Sequence, residues 1–151
     1  MPNDQKPHII LDDREHKLKQ IFDKKKDKIT CESRRLEIAD VIITSEIAIE
    51  RKEGADYVAS IMDNRLFEQI VRLKDTYPYP ILVLEGLNDH VFERTGMRIS
   101  SIYGALSVVS YKLGISVIPT RNIEDTAGVI ESIASRERIG SKDKCKSTIA
   151  N

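Results

Sequence analysis

The chain has little of what marks exported, membrane-embedded or cysteine-stabilised proteins. Its 151 residues include two cysteines, Cys31 and Cys145, whose wide separation matches neither a zinc site nor a disulfide framework. No apolar run approaches the length that spans a membrane, and the N-terminal residues lack the basic start and apolar core of a signal peptide. We therefore expect an intracellular protein with no membrane partner, cytoplasmic in a prokaryote or nuclear in a eukaryote.

Net charge and aromatic side chains are also scarce. The 24 lysines and arginines balance 24 aspartates and glutamates, so strong global attraction to nucleic acid is not implied, and any affinity must come from local patches. Aromatic residues make up 5% of the chain and form no visible platform for stacking unpaired RNA bases. At this length we expect one compact core rather than two.

The sequence does contain an alternation of short apolar strands and amphipathic helices. Predicted strands cover 8–11, 29–32, 81–84 and 115–119, with a hairpin at 41–49, and predicted helices cover 16–26, 57–62, 66–77, 100–113 and 123–137. Gly114 and Asn122 are placed to cap the last two helices, and 88–96 is a polar loop. This order predicts an α/β domain over residues 1–139, with a mixed sheet between helices. Residues 140–151 are polar and lysine-rich, which predicts a flexible tail.

The clearest functional signal is Glu50-Arg51-Lys52, which follows an apolar run and lies ten residues after Asp40. Two carboxylates can hold a hard divalent cation that neutralises phosphate charge, and a lysine can position or activate an attacking water. Alternate side chains of a strand share a face, so Glu50 and Lys52 point one way and Arg51 the other. The pattern indicates hydrolysis of a phosphodiester bond by a nuclease.

The register of the hairpin decides whether Asp40 joins this site. A two-residue turn would place Asp40 opposite Arg51, on the wrong face. A three-residue turn at 44–46 instead pairs Asp40 with Glu50. We predict the three-residue connection, or a bulge with the same effect.

The order of acid, hairpin and Glu-x-Lys resembles the restriction-endonuclease-like fold. The string Glu50-Arg51-Lys52-x-x-x-Asp56 resembles the XPF/Hef family of structure-specific DNA endonucleases. Ala39-Asp40 lies where that family has Gly-Asp, and glycine is the residue that takes a positive φ without strain. Further segments in the family's order are Asp12-Asp13-Arg14-Glu15, Ser60-Ile61-Met62-Asp63-Asn64-Arg65-Leu66 and 81–86. The similarity covers roughly residues 8 to 138 and implies a three-layer α/β/α architecture with a central mixed sheet.

The resemblance also implies a set of site residues and a substrate. It implies Mg²⁺ or Mn²⁺ on Asp40 and Glu50, with Asp12 able to share a second metal, and contact of Arg65 with DNA. The substrate would be branched DNA such as 3′ flaps, forks or splayed arms, cut near the branch point during repair or recombination. The catalytic set would comprise Asp40, Glu50, Arg51, Lys52, Asp12, Arg14 and Asp56.

The same resemblance implies partners. The nuclease domains of the family dimerise through their C-terminal helices, which predicts a homodimer or a heterodimer. The helix at 100–113 has apolar residues spread wider than one core-facing stripe needs, so it can serve two interfaces, and the stripe on 123–137 can face the sheet or a partner. Family members usually carry a tandem helix-hairpin-helix domain, and many carry a helicase domain. We expect neither in this chain, so a separate DNA-binding or clamp protein would supply DNA affinity.

Several of these residues also have a structural interpretation that the sequence leaves open. Asp12 either completes the acidic site or caps the helix that follows it. Arg14 and Arg51 are either catalytic or structural ion-pair partners of acids. Asp56 either acts through its neighbours in the motif or caps a helix that begins at residue 57.

Three functions therefore remain distinct. The first is an active metal-dependent DNA endonuclease. The second is a non-catalytic scaffold or dimerisation subunit of a nuclease complex, against which the presence of Asp40, Glu50 and Lys52 weighs. The third is a protein of the same fold that acts on RNA.

Overall fold

The computed structural model describes residues 6–140, and the side chains of 6–138. The predicted tail at 141–151 lies outside the described residues. The elements in chain order are β1 (His8–Asp12), α1 (His16–Asp23), β2 (Thr30–Arg34), β3 (Val41–Ile42), β4 (Ile47–Glu53), α2 (Gly54–Met62), α3 (Leu66–Thr76), β5 (Tyr79–Glu85), α4 (Asp89–Arg94), α5 (Ile99–Ser107), β6 (Ser116–Thr120) and α6 (Ile123–Gly140).

One mixed sheet of six strands organises the described part of the chain. Its strand order is β2-β1-β3-β4-β5-β6, in which β3 runs antiparallel to both of its neighbours and the remaining pairs are parallel. Strand β5, which lies between β4 and β6, is buried along nearly its whole length, as expected for a parallel strand covered on both faces. The predicted mixed sheet is confirmed.

Helices cover both faces of the sheet and form two main apolar cores. Helices α1 and α6 pack on one face, and the core there includes Phe22, Ile49, Val83 and Ile130. Helices α2, α3 and α5 pack on the other face around Tyr57. Because the apolar stripe of α6 lies in the first core, it faces the sheet, which was one of its two predicted positions. The α/β/α layering predicted from the sequence is therefore confirmed.

The helix ends show which local signals were predictive. The side chain of Asn122 accepts a hydrogen bond from Asp125 N at 2.9 Å at the start of α6, as predicted. Gly114 has a φ of +69° and its N–H donates to Ser110 O at 3.1 Å, which confirms the glycine cap. Before that cap, α5 continues into a π-helical turn at Val108–Lys112. None of the helices in the described ranges is long and apolar enough to cross a membrane.

Two predictions about local structure were wrong. Residues 88–96 are not a simple loop, because Asn88 accepts a hydrogen bond from Val91 N at 3.2 Å and starts the short helix α4. Helix α2 begins at Gly54 rather than at residue 57, so Asp56 lies in its first turn and does not cap it. An acid in the first turn still interacts favourably with the helix dipole.

The early start of α2 depends on glycine at position 54. A Cβ there would lie 2.7 Å from Gly86 O and 2.9 Å from Leu87 Cα, both backbone atoms that cannot rotate away. We expect Gly54→Ala to destabilise the protein by about 1–3 kcal/mol in urea unfolding. Gly104→Ala is the matched control, since nothing lies within 4 Å of its added methyl. That control should gain up to about 1 kcal/mol from helix propensity, and equal effects of the two substitutions would contradict the steric argument.

Candidate active site

The hairpin of β3 and β4 places two acids side by side. Val41 pairs with Ile49 and Ile42 with Ala48, so continuing the register by one residue sets Asp40 opposite Glu50. The predicted three-residue connection is thus confirmed. Thr44 Oγ1 accepts hydrogen bonds from the backbone N–H groups of residues 46 and 47 at 3.1 and 3.0 Å, which holds the turn.

Asp40 is locked in place by its own backbone and side chain. Its N–H donates to Ile49 O at 2.8 Å, and its carbonyl accepts from Asp12 N at 2.8 Å. Its Oδ2 accepts a hydrogen bond from Arg51 N at 2.7 Å. The carboxylate of Asp40 therefore accepts a hydrogen bond that a backbone carbonyl of the neighbouring strand would normally accept. Through these bonds, Asp40 connects β1, β3 and β4.

Ala39 carries the backbone strain of this arrangement. Its φ is +77°, a conformation that glycine takes without strain, and an L-residue there costs about 1–2 kcal/mol. The buried methyl packs in a small cluster with Ala48 and Leu73, which offsets part of that cost. The strain lies immediately before Asp40.

Burial dominates the electrostatics of the acid pair. It raises the pKa of Glu50 to about 8, the negative charge of Asp40 adds to that rise, and Lys52 opposes it. Burial likewise raises the pKa of Asp40, against the hydrogen bond from Arg51 N. The Lys52 side chain is 8% exposed, and its Nζ lies 3.9 Å from Glu50 Oε2. Two acids and one ammonium thus share a poorly hydrated site.

A pocket of ≈ 220 Å³ opens beside the acid pair, and its wall is mainly polar. It is the place where a substrate group could reach Asp40 and Glu50. Its walls come from the segment before β3, from β4 and from one side of α3. The lining residues are Arg14, Leu36, Glu37, Ile38, Ala39, Asp40, Glu50, Gln69 and Arg72.

Asp12 is saturated by hydrogen bonds. Its Oδ2 accepts from Arg14 N at 3.0 Å and Arg14 Nε at 2.7 Å, while its Oδ1 accepts from Arg14 Nη2 at 3.0 Å and Leu36 N at 2.9 Å. The Arg14 side chain, followed by the backbone donors, lowers the pKa of Asp12 to about 2. The helix-cap interpretation is wrong, because Glu15 occupies the N-cap position of α1. Asp12 instead holds Arg14 and the start of the pocket wall.

Arg51 lies on the opposite face of β4, as strand alternation predicted. Its guanidinium binds Glu85 through two hydrogen bonds, Nε to Oε1 at 3.0 Å and Nη2 to Oε2 at 2.6 Å. It also contacts Glu15 Oε1 at 3.1 Å and Glu53 Oε1 at 3.5 Å. Its side chain is only 13% exposed. Arg51 is therefore the hub of a buried ion-pair network whose acids are not those of the pocket.

Glu85 extends this network to the last helix. Thr126 Oγ1 donates to Glu85 Oε1 at 2.6 Å and lies 2.8 Å from Thr120 Oγ1. Although burial acts to raise it, hydrogen bonds from Arg51 and Thr126 lower the pKa of Glu85 below its usual value. The network thus links β4, β5, β6 and α6 at one end of the sheet.

Glu15 and Glu85 were absent from the predicted site. Burial raises the pKa of Glu15 to about 7, and the charge of Asp40 adds to that rise, which puts Glu15 within the field of the acid pair. Two sequence features point to these acids. Glu15 is the last residue of the motif at 12–15, and Glu85 is an acid at the end of an apolar strand. Among the predicted site residues, only Arg14, Asp40 and Glu50 line the pocket. Of the others, Asp56 is exposed on α2, and Arg65 pairs with Asp63 at 3.2 Å.

No cluster of three or more Asp, Glu, His or Cys side chains suited to a metal ion occurs within residues 6–140. Asp40 and Glu50 are the two neighbouring carboxylates of this pocket to which a cation could bind. Water and a substrate phosphate would have to complete its coordination.

Comparison with known proteins establishes the family of the chain. The ERCC4 domain family matches residues 11–133. The chain belongs to the ERCC4 domain family. A 3'-flap repair endonuclease Xpf of Saccharolobus solfataricus is 34% identical over 124 residues, which is 82% of this chain and 52% of that protein. The DNA repair endonuclease XPF of Cricetulus griseus is 31% identical over 83 residues, 55% of this chain and 9% of that protein.

A solved structure of XPF from Aeropyrum pernix in complex with DNA is similar with a TM-score of 0.78 and 29% identity, covering 91% of this chain and 66% of that one. The ERCC4 chain thus spans about half or less of the curated relatives described above. The resemblance to the XPF/Hef family and the restriction-endonuclease-like fold are confirmed.

Proposed function

We propose that this ERCC4 domain is a metal-dependent endonuclease that hydrolyses phosphodiester bonds near branch points in DNA, in repair or recombination. The observation that carries the proposal is the meeting of Asp40 and Glu50 across the β3–β4 hairpin, with Lys52 Nζ 3.9 Å from Glu50 Oε2. A pocket opens beside the two acids, so a phosphate group could reach them.

The donor set fits Mg²⁺ or Mn²⁺. Two buried acids with raised pKa values repel one another when both are ionised, and a cation between them removes that penalty. Mg²⁺ typically takes one or two carboxylates, keeps several waters and binds substrate phosphate, which suits a site with two acids. Asp40 and Glu50 would hold the ion, which when bound supplies charge neutralisation at the scissile phosphate.

The remaining groups act by position and charge. Lys52 lies on the same face of β4 as Glu50, where its ammonium can orient an attacking water or stabilise negative charge in the transition state. Arg51 contributes its backbone N–H, which fixes the Asp40 carboxylate. Asp12 and Arg14 hold the wall of the pocket through Leu36.

Branched DNA as substrate is supported by the relatives rather than by the surface of this chain. One relative is named as a 3'-flap repair endonuclease, and one similar structure contains DNA. We extend the proposal to 3′-flap, fork or splayed-arm DNA, with a separate DNA-binding or clamp protein raising the affinity of a chain with no net charge.

We also propose that the domain dimerises through its C-terminal helices. Ile99, Tyr103 and Tyr111 expose at least half of their surface on α5 and the π-helical turn that follows it. Exposed apolar side chains that lie together mark interaction surfaces. Light scattering should give twice the mass of the chain, and a monomer at all concentrations would contradict this part of the proposal.

Cleavage of labelled DNA tests the function. Purified protein is incubated with flap, fork and duplex DNA in magnesium and in chelator. We expect cleavage of the branched substrates in magnesium only. Asp40→Asn should lower the rate at least about 10³-fold, because a cation and its charge neutralisation are worth several kcal/mol.

Asparagine removes the negative charge and keeps the fold of the hairpin, because its amide oxygen can still accept a hydrogen bond from Arg51 N. Arg65→Ala is compared in parallel, since the resemblance assigns that residue to DNA contact, and it should weaken binding with an unchanged maximal rate. Unaffected cleavage by Asp40→Asn would overturn the ligand assignment. Absence of cleavage of every substrate would instead favour the scaffold function.

A further inference from the structure

One wall of the pocket has no role in the mechanism above. Helix α3 buries Leu66, Ile70 and Leu73 in the core, while Gln69 and Arg72, three residues apart, share another side that lines the pocket. We propose that this side of α3 binds the nucleic-acid backbone. Arg72 contacts a phosphate beside the bond to be cut, and Gln69 Oε1 accepts a hydrogen bond from a water that enters the pocket.

Arg72 is available for such a contact. Arg72 is exposed, and its guanidinium forms no ion pair with the described side chains of residues 6–138. This holds although three acids, Asp40, Glu50 and Glu37, line the same pocket. Most other arginines of the site are engaged: Arg14 with Asp12, Arg35 with Asp13, and Arg51 with its three acids. A guanidinium left free at the mouth of a polar pocket matches a phosphodiester, which it can bind through two parallel hydrogen bonds.

Gln69 carries the second observation. Its Oε1 is buried and has no hydrogen-bond partner among the described residues. A buried acceptor without a partner is destabilising, so a polar oxygen left in this state beside two carboxylates is expected to gain a donor when the pocket is filled. Water is a fitting donor there, since the neighbouring acids are themselves acceptors.

The inference rests on the proposed function for the identity of its ligand, a DNA backbone, and it adds residues that the motifs do not contain. Its binding step does not require cleavage. It can therefore be tested whether or not the domain hydrolyses DNA.

The first test measures equilibrium binding of a fluorescent fork DNA in chelator, where no cleavage is expected. Arg72→Ala should weaken binding about 5- to 30-fold and lower the slope of log K against log salt by about one, as for loss of one phosphate contact. Arg72→Lys should lie between wild type and alanine, because it keeps the charge and loses the bidentate geometry. The matched control is Lys74→Ala, an exposed cation of α3 outside the pocket wall, expected to change affinity less than about 2-fold.

The second test separates catalysis from folding at Gln69. Gln69→Met keeps the length of the side chain and removes the acceptor. We expect an unchanged Kd for the fork and a maximal cleavage rate about 10-fold lower. The melting temperature should rise by about 2–4 °C, because the unpaired buried oxygen is gone. Loss of rate with a gain in stability is a combination that a purely structural glutamine would not give.

The outcomes keep the two proposals apart. Equal affinities and salt slopes for Arg72→Ala and Lys74→Ala would overturn the phosphate contact, even if the wild type cleaves DNA. An unchanged rate, or a lower melting temperature, in Gln69→Met would overturn the role of its oxygen. If no substrate is cleaved while Arg72→Ala still weakens binding as expected, the endonuclease proposal fails and the phosphate contact stands.

Discussion

Glu50→Gln is expected to abolish activity and to strengthen the fold. In chelator at pH 8 the substitution should raise the free energy of unfolding by about 2 kcal/mol, and in magnesium it should lower DNA cleavage at least about 10³-fold. The stabilisation follows from burial, which raises the pKa of Glu50 to about 8 beside Asp40. Glutamine occupies the same volume without the buried negative charge, and Asp40 remains to compensate Lys52.

The pH dependence gives the sign of this effect. The unfolded chain releases the Glu50 proton near its ordinary value of 4.5, whereas the folded protein holds it to about 8. Between these values the folded state binds more protons, so stability is fully present below 4.5 and falls as the pH rises toward 8. Urea unfolding of the wild type in chelator at pH 5, 6.5 and 8 should show that fall. Glu50→Gln should show less of it, and the fall that remains comes from Glu15, whose pKa burial raises to about 7, and from Asp40.

The control for this experiment is Glu93→Gln, an exposed acid on α4. It should leave both the pH profile and the cleavage rate unchanged. Magnesium should raise the stability of the wild type at pH 8 more than that of Glu50→Gln. A variant that is less stable than the wild type at pH 8 in chelator would contradict the assigned electrostatic cost.

Arg51→Met should have the opposite effect on stability, with a loss of about 3–5 kcal/mol in urea unfolding. The substitution removes a buried cation that contacts Glu85 at 2.6 Å and Glu15 at 3.1 Å and leaves both acids without their main partner. Arg35→Met is the control, because its guanidinium pairs with Asp13 but its side chain is 64% exposed, so the loss should stay below about 1 kcal/mol.

A double variant separates the ion pair from the packing of the Arg51 stem. Arg51→Met with Glu85→Gln should recover part of the stability lost in Arg51→Met alone, since one uncompensated carboxylate is gone. Additive losses in the double variant would contradict a direct interaction. DNA cleavage by Arg51→Met, measured below its melting temperature, distinguishes a structural Arg51 from a catalytic one. The backbone N–H that holds Asp40 is retained in the variant, so a structural arginine predicts continued cleavage and a catalytic one predicts its loss.

The part of the site that could be predicted from sequence is the part set by short-range geometry. Side chains alternate along a strand, and a three-residue turn fixes which residues face each other, so Asp40, Glu50 and Lys52 could be brought together from their spacing. The opposite orientation of Arg51 follows from the same rule. Asn88, a good helix-capping residue, is a local sequence signal for α4.

The rest of the site depends on the order of strands in the sheet. Glu85 meets Arg51 only because β5 lies beside β4 in parallel register, with Glu53 opposite Glu85. Gln69 and Arg72 reach the pocket because α3 packs across this sheet face, and nothing in their spacing reveals that position. Asp12 could be assigned to the site, but the four hydrogen bonds that occupy its oxygens involve Leu36, 24 residues away, as well as Arg14.

The alternation of β4 has a consequence for how such a domain can change over generations. One side of the strand carries Glu50, whose loss would relieve repulsion with Asp40, while the other carries Arg51, a cation on which folding depends. Substitution of residue 50 would therefore remove the activity and leave a more stable domain. Substitution of residue 51 would destabilise the domain and be removed by selection. Related domains that have lost hydrolysis are therefore expected to persist more often than domains that have lost Arg51.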